Sequence, residues 1–441
     1  EVSIRKGLNL WWDGSTWQAD PKWLVATGTG PWTYDVPNDS FTTHIKYHVW
    51  ARAVDKAEPG GNMDAEDNEG ATGEVWFIYD TTPPENETTF PADGQCLNYQ
   101  PNKIQGTASD DLGPYYAGLY KNYIQIERET ATNRYWDPSN IVWGDDTSYN
   151  PVGSAENWEL DFPSLDVETT YWIRTYSEDT ANPTRNIGSP NEKYFWYDIT
   201  KPETYLSTPT AGTGLFYNAE LDEIAGTATD DFSGPDFVEI RISSGSYYWT
   251  GSSWTTNVTW VSTTVVSGKW VYLSTPSWTE PAQYTVEVKV IDRAGNVDVS
   301  YSTSVFTYDV TAPESWLTMP EDDSGGTDPQ TYEEMNPITG TCSDTTPGEV
   351  DHVEIAIKNI EVGHANENKY WDGSTWIVDE YWINTGAPTG QNWSWDSSGV
   401  DWQATADGVK FKCWSKAIDK AGNEQTTPDD NEFILQIPKP T

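Results

Sequence analysis

The segment Asp-x-Thr-x-Pro constrains the fold of this chain more than any other feature of the sequence. It reads DTTPP from Asp80, DITKP from Asp198 and DVTAP from Asp309. The spacings are 118 and 111 residues, within a chain of 441 residues. Such a period predicts that one structural module is repeated along the chain.

Each repeat carries the same further segments in the same order. A Gly-Thr segment (GTASDD, GTATDD or GTCSDT) comes first, followed by an alternating run, a tryptophan-rich turn and a second alternating run. In the third repeat Val286, Val288 and Val290 alternate with charged residues, which predicts a strand with one buried face. Gly, Pro, Asn and Asp cluster between the runs and predict turns. About seven short strands per repeat are typical of an immunoglobulin-type sandwich.

The order of these segments also resembles a known family. A long strand ending in A-x-D-x-A-G-N, a short strand and then D-x-T-x-P is similar to the bacterial and archaeal immunoglobulin-like repeat domains of adhesins and cell-envelope proteins. We therefore predict an all-β chain, a tandem array of immunoglobulin-like antiparallel β-sandwiches joined by short Pro-containing linkers. The predicted modules are 1–80, 81–198, 199–309 and 310–441.

The first module is predicted to lack its first strands. Val238 and Val353 follow their linkers by 36 and 40 residues, whereas Val2 already occupies the equivalent place. Either the chain is part of a longer array, or a neighbouring chain donates the missing strands. The first explanation is favoured, since only five residues follow Gln436 and cannot supply two strands in trans.

Charge and composition limit the partners. The net charge is −44 and the sequence pI is about 4.1, so the chain repels nucleic acids and anionic membranes and attracts divalent cations. With 25 Trp and 25 Tyr the chain is expected to fold, because disordered chains are poor in aromatic residues. Its many acids and three cysteines suit an extracellular or cell-surface protein, and no apolar stretch approaches the ~20 residues of a membrane span.

Carboxylates recur after the Gly-Thr strand, at the start of the D-x-A-G-N loop and at the module junctions. Calcium takes six to eight oxygen ligands, and two loops and a linker could supply them at a junction. The resemblance favours such a site, because cadherin-like arrays and some bacterial extender repeats hold calcium there. The alternative is that these Asp residues cap turns without metal. The candidate ligands are Asp80, Asp110, Asp111, Asp179, Asp198, Asp230, Asp231, Asp292, Asp309, Asp344 and Asp419.

A pair of tryptophans flanks a tight turn in every module, as in WWDGSTW and YWDGSTW. Asp-Gly between apolar residues predicts a hairpin, with the two rings on opposite arms. The rings are predicted to pack within their own module, and the alternative is that they contact glycans or neighbouring chains. The pairs are Trp12 and Trp17, Trp136 and Trp143, Trp249 and Trp254, and Trp371 and Trp376.

Two cysteines fall on strands that face each other in the fourth module. Cys342 replaces the alanine of the other Gly-Thr segments, and Cys413 replaces the inward-facing Val286. A disulfide similar to the inter-sheet bond of immunoglobulins is predicted, with two buried thiols as the alternative.

No catalytic residue is predicted. The four histidines form no repeated constellation, and the sequence contains no metalloprotease, nucleophile-elbow or P-loop motif. The carboxylates repeat with the module, whereas a catalytic acid–base pair is needed only once. We therefore expect a non-enzymatic extracellular stalk, surface-layer or filament component that binds itself or cell-surface glycans. The alternatives are a carbohydrate-binding adhesin and an accessory region of a secreted polysaccharide-degrading enzyme.

Overall fold

The computed structural model is built from β-strands, and it describes residues 1–57, 61, 74–110, 113–298, 300–321, 329–403 and 408–436. The chain divides into two compact units. The first comprises Glu1–Thr200 with Arg293–Asn296, and the second comprises Lys201–Asp292 with Val297–Thr441. Among the described residues, no helix has the length and apolar character needed to cross a membrane.

In the first unit, the described residues of the first module form a five-stranded sheet in the order β3-β2-β1-β4-β5, together with a short 3-10 helix, Asn38–Ser40. Its strands are β1 (Val2–Lys6), β2 (Leu10–Trp12), β3 (Trp17–Gln18), β4 (Ile45–Ala51) and β5 (Val75–Tyr79).

The rest of the first unit holds the second module, in which a seven-stranded sheet faces a three-stranded sheet of order β13-β8-β6. Its strands are β6 (Glu85–Phe90), β7 (Gln95–Leu97), β8 (Lys103–Ser109), β9 (Leu119–Arg128), β10 (Tyr135–Asp137), β11 (Val142–Gly144), β12 (Asn150–Gly153), β13 (Asn157–Asp161), β14 (Thr169–Asp179) and β15 (Asn191–Tyr197).

The second unit repeats this arrangement twice. The third module has β16 (Glu203–Thr208), β17 (Gly212–Tyr217), β18 (Ile224–Thr229), β19 (Pro235–Ser244), β20 (Tyr247–Trp249), β21 (Trp254–Thr255), β22 (Val261–Thr264), β23 (Lys269–Tyr272), β24 (Ala282–Asp292) and β25 (Ser302–Tyr308). The fourth has β26 (Glu314–Met319), β27 (Gln330–Tyr332), β28 (Ile338–Ser343), β29 (Val350–Asn359), β30 (Tyr370–Trp371), β31 (Trp376–Ile377), β32 (Ile383–Asn384), β33 (Asn392–Trp395), β34 (Val409–Asp419) and β35 (Asp429–Leu435).

The two sheets of each of these modules enclose one apolar core. In the third module Val286, Val288 and Val290 of β24 are fully buried, as their alternation in the sequence predicts. They pack in one cluster with Ile224 of the smaller sheet. The chain is therefore an all-β tandem array of sandwiches, and the prediction of its fold class is confirmed.

A buried tyrosine fixes the start of the long strand in three modules. Tyr47, Tyr171 and Tyr284 each hydrogen bond through their hydroxyl group to the backbone of the residue five positions earlier. In the third module the Tyr284 hydroxyl accepts from the Thr279 amide at 3.0 Å and donates to its carbonyl at 3.2 Å. This is the tyrosine corner of immunoglobulin-type sandwiches. Phe411 takes this place in the fourth module.

The predicted disulfide is not formed. Cys342 and Cys413 are both free thiols, 2% and 0% exposed, in the core of the fourth module. Cys342 lies on β28 of the smaller sheet and Cys413 on β34 of the larger one. Facing sheets pack roughly 10 Å apart, whereas a disulfide needs Cα atoms within about 7 Å, so burial on facing strands is not sufficient for a bond.

Candidate metal centre at the module junctions

Three aspartates from distant parts of the sequence meet at the junction of the first and second modules. Asp80 belongs to the linker, Asp110 follows β8 and Asp179 ends β14. One carboxylate oxygen from each lies within 4.8 Å of the others, and all three side chains are buried. The sequence predicted ligands from two loops and a linker, and the structure brings these three together.

The junction of the third and fourth modules repeats this cluster within the second unit. Asp309, Asp344 and Asp419 occupy the same three places, again with one carboxylate oxygen each within 4.8 Å of the others. Asp309 is completely buried and Asp419 is 3% exposed.

In each cluster an asparagine joins the loop that follows the long strand to the linker. Asn423 donates its side-chain amide to Asp419 Oδ2 at 2.7 Å and to the Asp309 carbonyl at 2.9 Å. Asn186 makes the same bonds in the first cluster, to Asp179 Oδ2 at 2.6 Å and to the Asp80 carbonyl at 3.1 Å. The loop is longer in the second module, where Asn186 follows its aspartate by seven positions and Asn423 follows its own by four.

The two clusters differ in how their carboxylate oxygens are satisfied. In the first, Asp80 Oδ2 accepts the Ala117 amide at 2.8 Å and Asp110 Oδ2 accepts the Gly118 amide at 2.6 Å. His44 also approaches, with Nε2 3.7 Å from Asp80 Oδ1. The sequence did not single out His44 as a junction residue.

In the second cluster two oxygens lack partners. Asp309 Oδ1 accepts the Thr311 amide at 3.0 Å and Asp344 Oδ1 accepts the Thr345 amide at 2.7 Å. The Oδ2 atoms of Asp309 and Asp344 are buried without a hydrogen-bond partner. Gly348 lies beside both, and a Cβ atom there would fall 2.1 Å from Asp309 Oδ2 and 2.6 Å from Asp344 Oδ2. The two carboxylate oxygens thus lie where a side chain at this position would be, and only a glycine permits their close approach to the backbone.

Burial and repulsion by neighbouring carboxylates raise the pKa of Asp110 in the first cluster and of Asp344 in the second. Burial raises the pKa of Asp344 to about 6, and the charges of Asp309 and Asp419 add to the rise. Burial likewise raises the pKa of Asp110 to about 6, assisted by Asp80 and Asp179. Each pair of carboxylates about 5 Å apart repels by roughly 3 kcal/mol at an effective dielectric constant of 20. A proton or a cation relieves this repulsion.

The chemistry of the donors fits calcium. All the grouped ligands are carboxylates, which are the hard oxygen donors that calcium prefers. No lysine or arginine within the described ranges forms an ion pair with Asp309, Asp344 or Asp419.

The other predicted ligands do not join these two clusters. Asp111 lies outside the described residues, and Asp231 is exposed. Asp198 belongs to the first compact unit, is fully buried and accepts the Thr200 amide at 3.0 Å. Asp230 and Asp292 belong to the second unit, where Asp230 Oδ2 accepts the Gly234 amide at 2.7 Å and Asp292 is 2% exposed.

The tryptophan pairs form hairpins that pack on their own modules. In each pair the two residues oppose each other across the hairpin, with ring centroids 5.2 to 5.5 Å apart. The second ring also contacts the aromatic residue of the long strand, as Trp376 does with Phe411 at 5.7 Å. Each of the eight predicted rings is buried or partly buried.

A second set of aromatic rings lies on the outer face of the large sheet in three modules. Trp23 lies 4.2 Å from Arg52, Trp260 lies 4.6 Å from Lys289 and Trp382 lies 4.8 Å from Lys416, measured from cation to ring centroid. Each cation belongs to or directly follows a long strand. These cation–π contacts therefore hold the tryptophan rings against the sheet of their own module.

Comparisons with solved structures return repeat proteins of similar architecture. A tetra-tandem repeat from the extending region of a large adhesion protein is 15% identical with a TM-score of 0.30, covering 98% of this chain and 91% of that one. Drosophila N-cadherin EC1-4 is 11% identical with a TM-score of 0.22 over the same shares. Three domains of the outer capsid protein Hoc of bacteriophage RB49 are 11% identical with a TM-score of 0.28, covering 81% and 99%.

The sequence matches no protein-family profile and no curated protein. At these identities and TM-scores the structural likenesses carry no argument about function. The class of protein is defined by the fold itself, a tandem array of antiparallel β-sandwiches with acidic clusters at module junctions.

Proposed function

We propose that this chain is a non-enzymatic, extracellular structural array whose module junctions are held by calcium. The observation that carries the proposal is the pair of buried Oδ2 atoms of Asp309 and Asp344, which lack a hydrogen-bond partner. A buried anion without a partner is costly, and a divalent cation supplies the missing interaction. Because the ligands come from two modules, the bound ion cross-links them.

Recurrence favours a structural role over a catalytic one. Equivalent aspartates occupy equivalent places in both clusters, whereas a reaction needs one site of particular shape. The sequence places Asp198, Asp230 and Asp292 in the same register, so we extend the proposal to the second junction as a prediction from the pattern. The acidic surface would keep such a chain soluble at the cell surface.

We propose that this array binds other copies of the chain, and we rank cell-surface glycans second among its partners. Glycan stacking would require exposed rings at the repeated hairpins, and there Trp12 and Trp371 are 2% and 3% exposed. A carbohydrate-binding adhesin, or an accessory region of a polysaccharide-degrading enzyme, therefore ranks second. Binding on a glycan array that is lost in Trp376→Ala would reverse this order.

Calcium titration of three proteins tests the metal proposal. Isothermal calorimetry and thermal unfolding, in calcium and in chelator, are compared for the unmodified chain, Asp344→Asn and the exposed control Asp231→Asn. At a hundredfold excess of calcium over Kd, each site stabilises the folded state by about 2.7 kcal/mol. Asp344→Asn should bind less calcium and, in chelator, unfold at a higher temperature, because one repelling charge is gone. Equal midpoints with and without chelator in the unmodified chain would refute the proposal.

A further inference from the structure

One segment of the third module is almost without charge. In the second and fourth modules, residues 129–168 and 360–408 join the two longest strands. These two segments contain nine and eight carboxylate residues. The equivalent segment of the third module, residues 245–281, contains one, Glu280, and Lys269 is its only other charged residue. This segment therefore lacks the acidity of the chain as a whole.

The single carboxylate of this segment is bound to the linker that follows the module. Glu280 Oε2 accepts the Val310 amide at 2.9 Å and the Thr311 hydroxyl group at 3.0 Å. The rest of the segment is rich in serine and threonine, which add polarity without charge. Residues 245–279 thus supply no carboxylate to the surface of the module.

The same segment exposes apolar side chains. Val258 is 59% exposed, Val266 is 68% exposed and Leu273 is 71% exposed. Tyr247 and Val271 are 55% and 44% exposed. Exposed apolar residues often mark interaction sites, and charged residues are depleted from the centre of protein–protein interfaces. The composition of the segment is therefore typical of an interface.

Hydrogen bonds join the parts of this segment into one surface. The Thr263 hydroxyl group on β22 donates to the Val271 carbonyl on β23 at 2.7 Å. Trp249 of the hairpin donates through Nε1 to the Ser274 carbonyl, also at 2.7 Å. The hairpin and both strands therefore lie side by side. We call the exposed side chains of residues 247–274 the neutral patch.

We infer that the neutral patch binds the neutral patch of a second copy of this chain. Two copies, each with a net charge of −44, repel each other wherever their carboxylates would meet. Salt at physiological concentration screens charges more than about 8 Å apart, so the charges within a contact decide whether it forms. Two neutral patches meet without opposing carboxylates. A basic partner would instead be attracted to the acidic surfaces, and an acidic partner would be repelled by them.

This inference rests on the self-association proposed above and names the surface responsible for it. Because the same patch serves both copies, the contact is isologous and closes as a dimer. None of the grouped aspartates lies within residues 245–281, so the contact does not involve the candidate calcium ligands.

Sedimentation equilibrium of the full chain tests the inference. Val258→Glu and Leu273→Glu each bring two carboxylates into the contact, one from each copy. We expect either variant to raise the dimer Kd by about tenfold or more, which corresponds to about 1.4 kcal/mol. Val362→Glu is the matched control and should leave the Kd unchanged, because that valine is 83% exposed in the acidic segment of the fourth module. Thermal unfolding checks that all three variants fold as the unmodified chain does.

The salt dependence of the Kd is a second readout. Added salt should strengthen the dimer, because it screens the repulsion between the acidic surfaces around the patch. A dimer that weakens as salt is added would be held by ion pairs and would overturn the inference.

Hydrogen exchange at low and high protein concentration locates the contact. Peptides covering 256–274 should exchange more slowly at high concentration, and peptides covering 360–368 should not change. Protection elsewhere, or self-association that is equally strong in Val258→Glu, Leu273→Glu and the unmodified chain, would overturn this inference and leave the proposed self-association standing. A chain that stays monomeric at every concentration would overturn both, and the calcium proposal would be unaffected.

Discussion

At the scale of single residues, the junction carboxylates are held in an environment that opposes their charge. Asp309 is completely buried, and its pKa is raised by burial and by Asp419. The glycine beside it has an ordinary backbone conformation, so its lack of a side chain matters for space only. The sequence predicts the aspartates from their recurrence, but Gly348 stands in no repeated motif and is visible only in the structure.

Gly348→Ala should therefore remove calcium binding at the third junction. The added methyl group would displace the Oδ2 atoms of Asp309 and Asp344, which lie 2.1 and 2.6 Å from its position. Calorimetry should show that the variant binds about one calcium ion fewer per chain than the unmodified chain does. Gly399→Ala is the matched control, because nothing lies within 4 Å of its Cβ position. Unchanged stoichiometry in Gly348→Ala would contradict the assignment of the site.

Calcium should abolish the pH dependence of stability that these carboxylates cause. The pKa of Asp110 and of Asp344 is about 6 in the folded protein and 3.8 ordinarily, so folding favours their protonated forms. That contribution is present at low pH and is lost as the pH rises through about 6. In chelator, thermal unfolding should occur at a lower temperature at pH 8 than at pH 5, and calcium should abolish the fall.

A double substitution distinguishes the effect of these two carboxylates on stability from the effect of the overall negative charge of the chain. The double variant Asp110→Asn, Asp344→Asn should lose less stability between pH 5 and pH 8 than the unmodified chain in chelator. Asp231→Asn should behave like the unmodified chain, because its side chain is exposed. Identical pH profiles for the double variant and the unmodified chain would contradict the prediction.

At the scale of elements, each smaller sheet depends on one contact between neighbouring strands. Trp158, Trp270 and Trp393 lie across Gly106, Gly226 and Gly340 of the adjacent strand. The Gly-Thr motif is repeated because a tryptophan occupies the place of the missing side chain. The sequence shows both residue types, but only strand register shows that they meet.

Gly226→Ala should destabilise the third module by overpacking. Its Cβ atom would fall 2.1 Å from the Tyr205 carbonyl oxygen and 2.5 Å from Trp270, and overpacking of this kind costs about 1 to 3 kcal/mol. Hydrogen exchange of the β18 and β23 amides measures the loss. Thr227→Ala on the same strand is the control, since that side chain is exposed. A loss no larger than in the control would contradict the overpacking explanation.

At the scale of the whole molecule, the repeated junctions predict a common response to calcium. Asn186 and Asn423 each join one loop to the linker carbonyl of their junction, and an ion held by the aspartates would add a second link. In hydrogen exchange with mass spectrometry, peptides covering 80–84 and 309–313 should exchange faster in chelator than in calcium. Because Asp198 stands in the same register of the sequence, we predict the same change for the peptide covering 198–202. Equal exchange at 80–84 and 309–313 would contradict junction stabilisation.

The sequence by itself determined the repeat, the strands and the residues that recur at each junction. Alternation with period two shows which face of a strand is buried, and the fixed order of the motifs shows that the modules are equivalent. The sequence therefore predicted the β-sandwich class, and its candidate ligands include the aspartates of both clusters.

The tertiary structure alone decided which of these residues meet. Burial on facing strands did not bring Cys342 and Cys413 into a disulfide, and Asp231 points to solvent although its neighbour Asp230 does not. Period two fixes direction within a strand but not the distance between atoms on different strands, which depends on sheet spacing and register.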